Sequence, residues 1–372
     1  MWRQLAPFIR TTFLFPALWE WLLYGDMAFH NADIIARIPD SRRLRSFNVR
    51  KDGSILIAAS NADTKFDTPV YTTLYLIASP QAHGSESIVL TSFPYNVASM
   101  VELGSGSDVF ALVAVYDSIT NKAAAIHILG LRDLDLQTPK YNIANFKLVD
   151  FPSRAPGLSG SCLLTPNTML VADAATACMW RVDSDCEGSG PEVRKWLAHP
   201  LLRVPRGANR ELRVGLEYND RDCHVYFTSP GSQLLARVKV DEMTLSPASD
   251  VEVVARGLHG ACALLLDAQN EYVYAANNEK KVLERISIPR DMGQKLGQSK
   301  QALSLAGSVY PGLLAGAWCS TNETGRAAYL AIRSQFLSNV MDRSSYANDY
   351  LQIVSEQEHN DNAVTRVLKV WL

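Results

Sequence analysis

The chain has 372 residues, of which 47% are hydrophobic and 20% are charged, and its formal net charge is −2. This composition is typical of a globular protein with a sizeable core, and the length allows several domains or one large β architecture. No long Lys/Arg block is present, so we expect neither nucleic acid nor an anionic membrane as a partner. The six cysteines include no CxxC pair and no two histidines have metal-ligand spacing, which argues against a disulfide scaffold and a zinc site.

The first 25 residues combine Arg3 and Arg10 with a following apolar stretch. Pro16 and Glu20 interrupt that stretch, which is too short to span a bilayer and has no clear small-residue cleavage site after it. We therefore expect residues 1–30 to be an amphipathic lead-in packed on a domain of residues 31–372, with a targeting segment as the alternative. Localisation stays open between the cytoplasm and the secretory lumen, where the sequon at Asn322 would accept a glycan.

A short apolar run closed by proline recurs along the chain as IIARIP, VLTSFP, KLVDFP and KWLAHP. Its prolines, Pro39, Pro94, Pro152 and Pro200, are 55, 58 and 48 residues apart. Further apolar β-prone runs lie between them, separated by turn signals such as Asp-Gly. Because proline has no N–H to donate, each one ends an outer strand. A period near 50 with four strands per repeat predicts a β-propeller.

The last repeat lacks a fourth strand, and the unassigned segment ADIIARIP near the N-terminus can supply it. The sequence therefore predicts an all-β, six-bladed β-propeller with four antiparallel strands per blade, closed by an N-terminal strand that completes the last blade. We expect it to act as a monomer.

The loops that enter first strands and leave second strands rim one mouth of a propeller, so we expect functional residues there. These positions carry mainly aromatic, amide and hydroxyl groups, which suit a neutral organic ligand. The predicted substrate-binding residues are Phe47, Asn48, Tyr95, Asn96, Ser161, Ser229, Asn277, Tyr310 and Gln335. The predicted catalytic residues are Tyr116, Asp173 and His259, with the alternatives that Tyr116 only lines the wall, Asp173 caps a turn and His259 caps a strand.

The runs GSCLLTPNTMLVADAATACMWRVD and VYFTSPGSQLLARVKV resemble the regucalcin/gluconolactonase type of propeller. They are more closely similar to its divergent fungal branch in secondary-metabolite clusters, over about residues 30–372. That branch includes hetero-Diels–Alderases that join a tropolone-derived quinone methide to a humulene-type terpene. The resemblance implies small-molecule partners, one polyketide-derived and one a terpene.

Lactonase-type members of this group hold a divalent metal at the propeller axis. Their ligand positions fall here on Arg45-Ser46-Phe47, Gly160, Val214 and either Cys262 or Ala263, none of which is a hard oxygen ligand. We therefore expect no metal and no cofactor. GLSGS departs from the nucleophile-elbow pattern, and ELGSGSD lacks the helix that a phosphate loop needs.

Three functions follow from these observations. A cofactor-free cyclase would hold two apolar partners together and place a hydrogen-bond donor on an oxygen of the diene. A lactonase with rearranged ligands is the second hypothesis, and a non-catalytic propeller that binds a small molecule or a protein is the third. The sequence allows two alternatives for Cys178 and Cys186, which are a disulfide between them or two free thiols.

Overall fold

The structure is a computed structural model. It describes residues 32–38, 43–60, 71–78, 87–104, 106–116, 123–132, 142–152, 157–184, 190–203, 214–258, 260–261, 264–266, 271–277, 282–288, 299–304, 312–319, 327–334 and 364–371. The lead-in 1–30, His259, Tyr310 and Gln335 lie outside these residues, as does Cys186. No helix in the described ranges is long and apolar enough to cross a membrane.

Five antiparallel sheets are each formed by four consecutive strands, and we number them as blades. Blade 1 contains β2 (Arg43–Val49), β3 (Ile55–Ser60), β4 (Thr72–Ile77) and β5 (Ser87–Phe93). Blade 2 contains β6 (Asn96–Glu102), β7 (Val109–Tyr116), β8 (Ala123–Arg132) and β9 (Asn142–Asp150). Blade 3 contains β10 (Leu158–Thr165), β11 (Thr168–Asp173), β12 (Cys178–Asp183) and β13 (Glu192–Ala198), followed by a 3-10 turn at Pro200–Leu202. Blade 4 contains β14 (Leu216–Asn219), β15 (His224–Ser229), β16 (Leu234–Lys239) and β17 (Glu252–Arg256). Blade 5 contains β18 (Leu264–Leu266), β19 (Tyr272–Asn277), β20 (Val282–Ser287) and β21 (Ser299–Ser304).

The remaining sheet joins the two ends of the described chain. Its order is β1-β24-β23-β22, with β1 (Ala32–Ile38), β22 (Gly312–Cys319), β23 (Ala327–Ser334) and β24 (Val364–Trp371). The predicted count of six blades is corrected accordingly. Five blades are complete in themselves, whereas this closing sheet has no four consecutive strands and depends on β1 from the start of the chain.

The first strands of the sheets lie innermost and contact one another in sequence, from β2 through β6, β10, β14 and β18 to β22 and back to β2. The apolar cores lie between neighbouring blades, because successive side chains of a strand point to opposite faces of its sheet. On β15, for example, Val225 and Phe227 pack toward blade 3 and Tyr226 packs toward blade 5. Each blade is therefore covered on both faces, which explains strands that are apolar throughout.

An extra residue interrupts the pairing of every outer strand with its neighbour. Such β-bulges bend a strand and increase its twist. In four of the sheets a proline follows the bulged residue by four positions, which accounts for the motif that recurs in the sequence. The bulged residues are Ile35, Leu90, Leu148, Trp196, Val254 and Ala302.

Candidate functional site

The second strands end on one face of the propeller, here called the upper face, at Ser60, Tyr116, Asp173, Ser229 and Asn277. The first strands begin on the same face because they pair antiparallel with the second strands. Of Phe47 and Asn277 the structure describes only their places on β2 and β19.

Two predicted residues, Tyr95 and Tyr116, lie in contact on the upper face between blades 1 and 2. Their rings are 5.5 Å apart in an edge-to-face arrangement, and Tyr95 also stacks on Phe93 at 5.3 Å. The pair encloses His127, whose ring centroid is 4.6 Å from that of Tyr95 and which is 8% exposed. Here an aromatic wall surrounds one buried imidazole.

Hydrogen bonds connect this imidazole on both sides. The Tyr116 hydroxyl lies 2.5 Å from Nε2 of His127, and Nδ1 of His127 lies 3.3 Å from Oδ1 of Asn145. The Asn145 amide nitrogen in turn donates to the Tyr95 hydroxyl at 3.1 Å. The amide oxygen of Asn145 can only accept a hydrogen bond, so the proton of the neutral imidazole lies on Nδ1. Nε2 is then unprotonated and accepts the hydrogen bond from the Tyr116 hydroxyl.

Burial keeps these groups neutral. It lowers the pKa of His127, and the hydrogen bond that His127 donates to Asn145 opposes this effect. Burial likewise raises the pKa of Tyr116, and it raises the pKa of Tyr95 to about 12. A neutral imidazole beside a neutral phenol is in the protonation state that lets the imidazole accept the phenol proton.

Asp173 has a different environment from the one predicted for a catalytic acid. Its carboxylate accepts hydrogen bonds from the backbone of Ala175 and Thr176, from the Thr176 hydroxyl at 2.7 Å and from the Trp180 indole. The side chain is fully buried under the β11–β12 turn. These contacts are those of a turn cap. The same turn contains Cys178, which is a free, buried thiol.

The other described binding candidates are spread over the inner strands and the upper face. Asn48 is partly buried on β2 opposite Leu56, and the Ser161 hydroxyl is 2.8 Å from that of Ser99 on the neighbouring inner strand. Asn96 Oδ1 and Ser229 Oγ are buried and have no hydrogen-bond partner in the part of the chain that the structure describes. Unsatisfied polar atoms of this kind are rare in folded proteins and are consistent with sites that a ligand or water completes.

Three of the positions that the sequence resemblance assigned to metal ligands, Arg45, Gly160 and Val214, are among the described residues. The N–H of Gly160 donates to the carbonyl of Val214 at 3.0 Å, so these two backbones are joined directly. Arg45 contributes a cation, and its Nε donates to Ser60 at 2.6 Å. These groups do not fit a divalent cation, which prefers several oxygen ligands. Among the described residues, no group of three or more His, Cys, Asp or Glu side chains could hold a metal.

Three polar residues of interest were not predicted from the sequence. His127 and Asn145 lie in the middle of β8 and β9, away from the strand ends that the prediction considered. Glu217 lies on the inner strand β14, and burial raises its pKa to about 8. A histidine within the apolar run AAAIHILGL and a glutamate within VGLEY were the available signals.

Comparison with solved structures places the fold among known propellers. A luciferin-regenerating enzyme superposes with a TM-score of 0.54 at 11% identity, over 92% of this chain and 95% of that one. A calcium-binding regucalcin from Agrobacterium tumefaciens gives 0.50 at 13% identity, over 91% and 95%. A PQQ-bound aldose sugar dehydrogenase from Streptomyces coelicolor gives 0.53 at 10% identity, over 92% and 99%. No protein-family model matches the chain, and no curated protein matches it significantly in sequence. At such identities the likeness concerns the fold alone, which is a regucalcin-like propeller.

Proposed function

We propose that this protein is an enzyme that acts on a neutral organic small molecule without a metal, through the acid–base pair Tyr116–His127. The observation that supports this most is the hydrogen-bonded series from Tyr116 through His127 to Asn145. This series has the form of a known catalytic arrangement. One side chain exchanges protons with the substrate, a neutral base accepts the proton from that side chain, and a third group orients the base.

The pair acts first as a base. The Tyr116 oxygen takes a proton from an acidic O–H of the substrate, while the Tyr116 proton moves to Nε2 of His127. Asn145 accepts from Nδ1 and so stabilises the imidazolium that forms. In the reverse direction His127 returns its proton through Tyr116 to a leaving or accepting oxygen. General acid–base transfer of this kind contributes about 10²–10⁴-fold to a rate.

The reaction that we propose is a dehydrative cyclisation of the hetero-Diels–Alder type, and this finer assignment rests on the sequence resemblance. The pair removes the proton of an enolic hydroxyl, the bond from carbon to a neighbouring hydroxyl group breaks, and the departing hydroxide takes the proton back as water. The resulting quinone methide adds to a terpene alkene by forming two bonds, with no change in oxidation state. Positioning of the two partners supplies the remainder of the rate.

Metal-free lactone hydrolysis is the second candidate, and the sequence resemblance to the regucalcin/gluconolactonase type of propeller supports it. In that case the same pair would remove a proton from a water molecule that attacks the lactone carbonyl. The regucalcin-type metal has no part in either mechanism, because the residues at the axis do not fit it.

Both candidates are tested by parallel assays of the purified protein with and without a chelator. One assay follows the union of a hydroxymethyl tropolone with humulene by mass and by stereochemical ratio, and the other follows the opening of gluconolactone. We expect cycloadduct formation that the chelator leaves unchanged and that Tyr116→Phe slows about 10²-fold. Tyr71→Phe is the matched control, because Tyr71 is 38% exposed outside the aromatic wall.

Lactone opening in place of cyclisation would favour the second candidate. Loss of either activity on chelation would contradict the metal-free mechanism. A folded protein that is inactive in both assays would contradict the enzyme proposal and leave a binding propeller.

A further inference from the structure

We infer that the central channel holds a second binding site, separate from Tyr116, in which the Glu217 carboxyl group donates a hydrogen bond to an oxygen of a neutral ligand. The ligand class is an uncharged molecule with a carbonyl or ether oxygen.

The first argument is the position of Glu217 in the ring of inner strands. Its neighbours on β14, Leu216 and Asn219, are 4% and 1% exposed, whereas Glu217 keeps a larger accessible surface. Tyr226, directly opposite on β15, is fully buried. Because β14 is an innermost strand that lies between β10 and β18 around the axis, we infer that the accessible part of Glu217 faces the channel.

The second argument is the depth of Glu217 relative to the polar groups above it. The backbones of Gly160 and Val214 meet side by side, and the strands β10 and β14 then continue in the same direction. Glu217 is therefore two residues further along its strand than the level of Ser161, or about 7 Å deeper in the channel. Ser161 shares a hydrogen bond with Ser99, so a hydroxyl pair lies above a single carboxyl group.

The third argument concerns the contacts of the Glu217 carboxyl group. Among the described residues it makes no hydrogen bond and no ion pair, in contrast to the buried carboxylates of Asp173 and Asp183. An ionised carboxylate in such a place would pay a desolvation cost, so burial raises the pKa of Glu217 to about 8 and favours the protonated form. A carboxyl group kept neutral in this way can donate to a substrate oxygen.

The test begins with the protonated carboxyl group itself, which needs no ligand. We expect the infrared difference between the wild-type protein and Glu217→Gln at pH 6.5 to contain the carbonyl band of a protonated carboxyl group. Glu102→Gln is the matched control, since Glu102 ends β6 and accepts a hydrogen bond from the backbone of Asp108. Absence of the band from the Glu217 difference would overturn the inference.

The second arm measures binding of 2-cyclohexenone, a neutral conjugated ketone, by calorimetry and by the shift of its carbonyl band. Glu217→Gln keeps an N–H donor and should bind within a fewfold of the wild type. Glu217→Leu removes the donor at similar size and should bind about tenfold more weakly. Equal binding by Glu217→Leu, or no binding by the wild type, would overturn the inference. Tyr71→Phe should leave this affinity unchanged, and because binding is measured without turnover the result is independent of the proposed reaction.

Discussion

The amide of Gly160 and the carbonyl of Val214 form a hydrogen bond of 3.0 Å between two neighbouring inner strands. A Cβ atom at position 160 would lie 2.3 Å from that carbonyl oxygen, closer than any real Cβ contact. Ser159 reinforces the junction, because its hydroxyl accepts the amide of Val214 at 3.3 Å. Backbone contact thus joins the inner strands of blades 3 and 4.

Gly160→Ala should therefore separate these strands and destabilise the protein by roughly 1–3 kcal/mol, the usual cost of overpacking. The matched control is Gly130→Ala, where the nearest atom to a new Cβ would be Ala144 Cβ at 3.8 Å, an ordinary contact. Urea unfolding of the three proteins measures the effect. If both variants unfold with the same midpoint, the close junction at Gly160 is not a stabilising contact.

The closing sheet predicts a strong effect of removing β1. This strand pairs with β24 from Ala32 to Ile38, so its loss leaves an unpaired edge on the last sheet. A protein that begins at residue 42 should aggregate or unfold far below the wild-type temperature, whereas one that begins at residue 26 should retain the transition. Thermal unfolding and light scattering decide the matter. Cooperative melting of the shorter protein at the wild-type temperature would contradict the role of β1.

The pH dependence of the rate should report on His127. Catalysis as a base requires the neutral imidazole, so kcat/KM should fall when the pH drops below the pKa of His127. Because burial lowers that pKa, the acid limb of the pH–rate profile should lie below the ordinary histidine value of 6.5. Asn145→Asp places a carboxylate on Nδ1–H, which favours the imidazolium, and should move the limb upward. Asn145→Ala is the control that removes the contact without adding a charge. If Asn145→Asp leaves the acid limb of the pH–rate profile at the same pH, His127 is not the base of the reaction.

Glu217 should make stability depend on pH. Its pKa is raised from 4.5 to about 8 in the folded protein, so between these values the folded state holds a proton that the unfolded state has lost. The free energy of unfolding therefore decreases as pH rises through this window, by at most about 1.4 kcal/mol per pH unit. Urea unfolding at pH 5.5 and 7.5 should show this loss in the wild type and a smaller one in Glu217→Gln. Equal losses in the two proteins would refute the raised pKa.

The sequence predicted the all-β propeller architecture but not the number of complete blades, because a proline four residues after the bulged residue marks the outer strand in four of the six sheets. Tyr95 and Tyr116 were proposed as site residues because both lie at strand boundaries on the upper face, and their rings are in contact. The sequence analysis missed His127 because the long Tyr116 side chain extends to the middle of the next strand. Strand boundaries alone contain no information about that reach.

Asp173 and Glu217 illustrate two other limits. The sequence Asp-Ala-Ala-Thr places a hydroxyl three residues after the carboxylate, a pattern typical of a capped turn, and that local interaction occupies Asp173. Glu217 is single and has no sequence motif, so its role depends on how the blades enclose β14. Local hydrogen bonding can be predicted from sequence, whereas burial against neighbouring blades requires the assembled fold.

The central claim is that Tyr116 and His127 act as one unit, and a double-mutant cycle on the reaction rate tests it most directly. Tyr116→Phe and His127→Ala should each slow the reaction about 10²-fold, and the double variant should be about as slow as either one, because each substitution interrupts the same proton transfer. Unchanged melting temperatures would confirm that all four proteins are folded. Losses that multiply to about 10⁴-fold would contradict the account, because the two residues would then contribute independently.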